Sequence, residues 1–234
     1  PRLAAEPMDR DTLALYQKMF GITAEERDEI IRVLAEDESE AVGSMGDDTP
    51  MPVLSARVRS LYDFFRQQFA QVTNPPMDSL RESIVMSLQT QIGPECNIFM
   101  PAPEHARQLV LNSPILSQRK LRQILGFDGV THEFIDLQSP LDESLPGALE
   151  RLCDQAEAAA RAGKLVLLLS DRYLVEGKVP VHALLATGAV HHRLVRTGLR
   201  CRCNLLVETG TARDPHHFAC LKLDRIQVKG KTVP

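Results

Sequence analysis

Two short runs with continuously apolar centres, 165–170 (LVLLLS) and 204–209 (NLLVET), constrain the fold more than any other feature of the sequence. Neither alternates polar with apolar residues, so each is expected to be a strand covered on both faces, as in parallel sheets. The segments between and around them read as helices. Residues 145–162 are Ala-rich and stop at Gly163. Residues 180–196 carry apolar side chains at helical spacing and stop at Gly198, and a further helical start is read at Pro215. Phe134, Ile135 and Leu137 form a shorter strand upstream. Alternation of this kind, with right-handed crossovers, predicts an α/β fold. It is built from β/α units with mainly parallel strands, arranged as a partial barrel or an open sheet.

A helical N-terminal segment precedes this region. In 9–20 (DRDTLALYQKMF), Leu13, Leu15, Tyr16, Met19 and Phe20 share helical spacing, and Gly21 ends the run. Thr23 followed by Glu26 reads as a capping box for a second helix, whose apolar residues include Ile30, Ile31, Val33 and Leu34. The acidic run 36–40 (EDESE) reads as a solvated face. Residues 101–125 read as one helix, a break at Ser113 and Pro114, and another helix.

Residues 42–78 have a different character. Gly- and Pro-containing loops, 42–55 (VGSMGDDTPMPVLS) and 71–78 (QVTNPPMD), flank an apolar helix over 60–70. Tyr62, Phe64, Phe65 and Phe69 fall there, in a chain with only three Tyr, eight Phe and no Trp, so the helix marks a packing centre. A second helix is read from Ser79 onward, capped by Asp78 or Ser79.

Composition narrows the function classes. The 234 residues are 44% hydrophobic with a net charge of −4, enough apolar content for a sizeable core. Lys and Arg are scattered rather than striped, which argues against nucleic acid and against an anionic membrane as partners. Five Cys without a regular framework fit reduced thiols, hence a cytoplasmic setting. The first residues lack the apolar stretch of a secretory leader, and the run LVLLL is too short to span a bilayer.

No complete catalytic constellation is legible. Asp47 and Asp48 are adjacent, so their side chains diverge and suit a turn or cap rather than an acid/base pair. Ser170 and Asp171 end a strand, where β/α enzymes place their sites, but Asp171 beside Arg172 is equally a helix cap with a local ion pair. Glu208, Thr209 and Gly210 end another strand and could cradle an anion at the next helix start. Neither His191–His192 nor His216–His217 has the spacing of a helical metal site, although one doublet could meet the other in space. Cys201 and Cys203 would share one face of a strand; no second pair accompanies them, which disfavours zinc and iron–sulfur. Cys96, Cys153 and Cys220 read as core or surface thiols.

Longer motifs carry a resemblance. GSMGDDTP, then LYDFFRQQFAQVTNPPMDSLRESIVMSL, then VHALLATGAVHHRLVRTGLR and NLLVETGTARDPHHFA together resemble the central domain of the glutamate synthase large chain. The resemblance spans about residues 20–220 and implies an α/β domain that partly copies a neighbouring β/α barrel. It implies a non-catalytic part of an enzyme that forms glutamate from glutamine and 2-oxoglutarate. Its partners would be the amidotransferase and FMN-binding domains of the same parent chain. FMN and an iron–sulfur cluster would belong to the parent, with no cofactor in this part. The resemblance further implies that loops of this domain help wall an ammonia tunnel, with Ser44, Met45, Gly46, Thr73 and Asn74 as the tunnel-lining or interface candidates. The expected division is 1–41 helical segment, 42–218 α/β domain, and 219–234 a tail that departs from the family pattern. The alternative is a free-standing β/α enzyme or phosphate-binding module with a site at the strand C-termini.

Overall fold

A computed structural model describes residues 9–36, 53–56, 61 and 89–211. The chain divides into two compact units; residues 89–210 belong to one, and 9–36, 53–56, 61 and 211 to the other.

In the second unit, α1 (Arg10–Met19) starts at Asp9, whose carboxylate accepts from the amides of Asp11 and Thr12. That satisfies two of the donors an α-helix start leaves unpaired. The capping box forms as expected: Thr23 Oγ1 accepts from Glu26 N at 3.1 Å, and Glu26 Oε2 accepts from Thr23 N at 2.9 Å. From there α2 (Ala24–Glu26) runs through a π-helical turn (Arg27–Ile31) into α3 (Arg32–Glu36).

The first unit is organised on a three-stranded parallel sheet, β3 (His132–Asp136), β5 (Val166–Ser170) and β7 (Asn204–Glu208), in the order β3-β5-β7. Register runs from His132↔Val166↔Asn204 to Asp136↔Ser170↔Glu208, so the three C-terminal residues line up at one edge. All five residues of β5 are buried, which is why its sequence is apolar without alternation. Helix α5 (Leu145–Arg161) lies between β3 and β5 in the chain, and α6 (Ala183–Arg196) between β5 and β7. Leu152, Ala156, Ala186, Val190 and Leu194 of these helices form one core with Ile135, Leu137, Leu167 and Leu169. Fully burying each leucine contributes roughly 2 kcal/mol. Gly163 (φ 78°) and Gly198 (φ 69°) follow the two helices in the left-handed conformation that closes a helix end. Among the described residues there is no closed barrel; the sheet is open.

Two short antiparallel pairs were not legible in the sequence. β1 (Thr90–Ile92) pairs with β2 (Leu109–Leu111). β4 (Gln138–Pro140) pairs with β6 (Lys178–Pro180). The helix expected before Ser113 is therefore corrected. Pro103–Ala106 makes one 3₁₀ turn and LVL pairs as a strand, because Pro101 and Pro103 remove amide donors and Leu111 is buried against Ile92. The helix expected after the break forms as α4 (Gln118–Leu125), capped by Ser117. The helix expected from Pro180 starts at Ala183, with His182 Nδ1 accepting from Leu184 N at 3.3 Å.

Candidate functional site

The aligned ends of β5 and β7 are where a parallel sheet places ligands. Ser170 and Asp171 are each 1% exposed there. Asp171 Oδ1 accepts from the Gly210 amide at 3.1 Å, and Oδ2 accepts from the Thr209 hydroxyl. Burial pushes the Asp171 carboxyl up to about 6, opposed by the hydrogen bonds from Thr209 and Gly210 and assisted by the nearby Glu208 charge. The Asp171 carbonyl accepts from Gln138 Nε2 at 3.3 Å, which ties β4 to the same edge.

Glu208 is the second centre. Its carboxylate accepts from Ser170 Oγ at 2.8 Å and from Arg122 Nη2 at 2.9 Å, and Arg172 Nη1 lies 3.6 Å away. Arg122 also donates to the Tyr173 hydroxyl at 3.3 Å, and the Arg172 guanidinium sits 5.8 Å from the Tyr173 ring centre. The reading of Asp171 as a helix cap paired with Arg172 is thus corrected. No helix starts at Asp171; it binds the β7 exit, and Arg172 turns to Glu208. Nor do Glu208, Thr209 and Gly210 present an open anion cradle, since the Gly210 amide and Thr209 hydroxyl already serve the Asp171 carboxylate.

Glu143 organises a third polar group beside β4. Arg151 donates to both its oxygens (3.0 and 2.9 Å) and Ser139 Oγ to one of them (2.7 Å). These hydrogen bonds, Arg151 first, hold its carboxyl down at about 2. Arg122, Gln138 and Arg151 had no signal in the local sequence, because their partners are reached through the fold.

Among the described residues the histidines and cysteines do not assemble. His191 Nδ1 accepts from Arg200 Nε at 3.2 Å, and its ring meets His192 edge-on at 5.1 Å. Cys201 and Cys203 do not share a strand face: Arg200–Arg202 is a 3₁₀ turn, leaving Cys201 exposed and Cys203 buried. Burial pushes the Cys153 thiol up. Among the described residues no group of three His, Cys, Asp or Glu could hold a metal ion. His216, His217 and Cys220 lie outside them, as do Asp47, Asp48, Ser44, Met45, Gly46, Thr73 and Asn74.

An open β/α domain with its strand-end carboxylates tied up by its own side chains is the class the geometry defines. The chain matches the model of the glutamate synthase central domain over residues 15–222, and it belongs to that family. It is 43% identical to the NADPH glutamate synthase large chain of Azospirillum brasilense over 94% of this chain and 15% of that one. It is 42% identical to ferredoxin-dependent glutamate synthase 2 of Synechocystis, over 91% and 14%. For the chloroplastic ferredoxin-dependent enzyme of Oryza sativa the identity is 40%, over 92% and 14%. The chain thus spans about one seventh of the length of the curated relatives it matches. Among the described residues, no helix is long and apolar enough to cross a membrane.

Proposed function

We propose that this chain is the connecting domain of a glutamate synthase large chain, joining an amidotransferase domain to an FMN-binding domain without performing chemistry itself. The observation that carries this reading is the family match across 15–222. The strand-end geometry supports it, because Asp171 and Glu208 are engaged by Thr209, Gly210, Ser170 and Arg122. A flavin phosphate there would have to compete with the Asp171 carboxylate for the Gly210 amide. In this reading FMN and the iron–sulfur cluster belong to the rest of the parent chain. The same observations disfavour the alternative of a free-standing phosphate-binding module. The relatives are named for different electron donors, NADPH or ferredoxin, and a cytoplasmic location is proposed from the unframed cysteines of the sequence.

In this reading the division is 1–41, 42–218 and 219–234, and the loops of 42–78 wall the passage of ammonia. Ser44, Met45 and Gly46 in the first loop, with Thr73 and Asn74 in the second, supply small side chains, a hydroxyl and an amide that can hydrogen-bond ammonia as water would. The test uses the intact enzyme. Met45→Trp or Thr73→Phe is expected to lower glutamine-dependent turnover about tenfold while leaving ammonia-dependent turnover unchanged. Unchanged coupling between the two would count against the passage. Micromolar FMN binding by residues 1–234 alone would overturn the connecting role.

A further inference from the structure

Among the described residues, β3 and β7 are the two outer strands of the parallel sheet, and a groove lies beside β3. Leu137 N donates to Ser170 O at 2.9 Å, and Thr131 O accepts from Leu165 N and Val166 N at 2.9 and 3.0 Å. Alternate residues of a strand direct their backbone groups to the same side. Residues 131, 133, 135 and 137 therefore face β5, and His132, Phe134 and Asp136 direct N–H and C=O the other way. Among the described residues no strand pairs with them there. Along that edge runs a groove of about 700 Å³, between β3 and α5. Its helix wall includes Ala158 and Ala159 of α5 and Ala162 just beyond it, whose small side chains leave the backbone of β3 approachable, and Glu133, Asp136, Arg151, Lys164 and Lys178 also line it. Phe134 is 41% exposed.

The unpaired amides and carbonyls of a sheet edge are a template on which another strand can pair. We infer that this edge accepts an extended segment from the part of the large chain outside residues 1–234, added as a fourth strand beside β3. The occupant is argued from the relatives, about six sevenths of whose length lies outside the match. Backbone hydrogen bonds to His132, Phe134 and Asp136 would supply affinity. The alanine wall would select small or apolar side chains on the inward positions, while the rim carries charges of both signs, with Lys164 Nζ already 3.8 Å from Glu133. This inference rests on the connecting-domain reading and gives it a contact surface.

The test is residue-resolved hydrogen exchange on the intact large chain, with lysine cross-linking from Lys164 and Lys178. Strand addition requires the amides of His132, Phe134 and Asp136 to exchange at least about 100-fold slower than their intrinsic rates, to the degree expected of the β5-bonded amides of Glu133 and Ile135. It also requires cross-links from Lys164 or Lys178 to a segment outside 1–234. Fast exchange at the three outward amides overturns the inference, and so does an absence of such cross-links. Protection that vanishes on dilution assigns the edge to a second copy, and cross-links confined to 1–234 assign it to this chain; either outcome overturns the inference too. A bare edge in an enzyme still uncoupled by Met45→Trp would remove the added strand and leave the passage standing.

Discussion

The carboxylate of Asp171 holds the amide of Gly210, 39 residues later, at 3.1 Å, and with the Thr209 hydroxyl it locks the exit of β7 against the exit of β5. The lock is made by a buried acid whose charged form is disfavoured. A pKa raised from 3.8 to about 6 means that the folded chain binds this proton more tightly than the unfolded chain. The contribution is therefore fully present below about pH 4 and is lost as pH rises through about 6. A shift of about two units corresponds to about 3 kcal/mol. Asp171→Asn keeps an acceptor for Gly210 and removes the titration. We expect the variant to match or exceed the parent in stability at pH 8, and to lack the parent's gain in stability between pH 6 and 4. Hydrogen exchange of the β5 amides, corrected for intrinsic rates, reads this; a loss of several kcal/mol at pH 8 would show that the charge itself holds the loop.

Glu208 joins elements distant in sequence, taking Arg122 from α4 and Ser170 from β5. Its side chain is only 9% exposed, whereas that of Arg122 is 34% exposed. Removing the acid strands two donors near the sheet, while removing the arginine leaves the carboxylate with Ser170 and Arg172. Glu208→Ala is expected to cost about 2–3 kcal/mol and Arg122→Ala about 1 kcal/mol. Because the residues touch, the double variant should cost less than the sum, by about 0.5–1 kcal/mol in urea unfolding. Additive losses would mean that the pair contributes nothing beyond packing.

Glu143 behaves oppositely to Asp171 on acidification. Its carboxyl is held at about 2 by Arg151 and Ser139, below the usual 4.5. A depressed acid stabilises the fold above its unfolded pKa, and that stabilisation fades as pH falls from about 4.5 through 2. Glu143→Gln should therefore be less stable than the parent at pH 6 and indistinguishable from it near pH 2. Denaturation at the two pH values checks this, and an equal deficit at both would rule out the ion pair as its source.

What the sequence disclosed follows from which forces act locally. β5 and β7 were readable because their cores, LVLLL and LLV, are continuously apolar without a polar alternate. The helix ends at Gly163 and Gly198 and the Thr23–Glu26 box were readable because caps act within a few residues. β1, β2, β4 and β6 are three residues each, too short for periodicity, and exist because a partner strand pairs with them. At the candidate site, Ser170, Asp171, Glu208, Thr209 and Gly210 were correctly placed at strand ends. Their mutual satisfaction was hidden, since Arg122 lies 86 residues from Glu208 in sequence.

Two glycines separate backbone crowding from backbone freedom. At Gly93 an added methyl would stand 2.5 Å from the Arg107 carbonyl oxygen, and Gly93 O accepts from Asn204 Nδ2 at 3.0 Å. The obstacle is main chain, so β1 and β2 would have to part for a side chain to fit. Gly93→Ala is expected to destabilise the chain by about 1–3 kcal/mol. Gly188 lies inside α6, where an added methyl meets nothing within 4 Å. There alanine removes unfolded-state freedom and suits the helix, so Gly188→Ala should stabilise by about 0.5–1 kcal/mol. Thermal or urea unfolding of the two variants side by side should give shifts of opposite sign. A destabilising Gly188→Ala would reveal a surface packed against α6 that residues 89–211 do not supply.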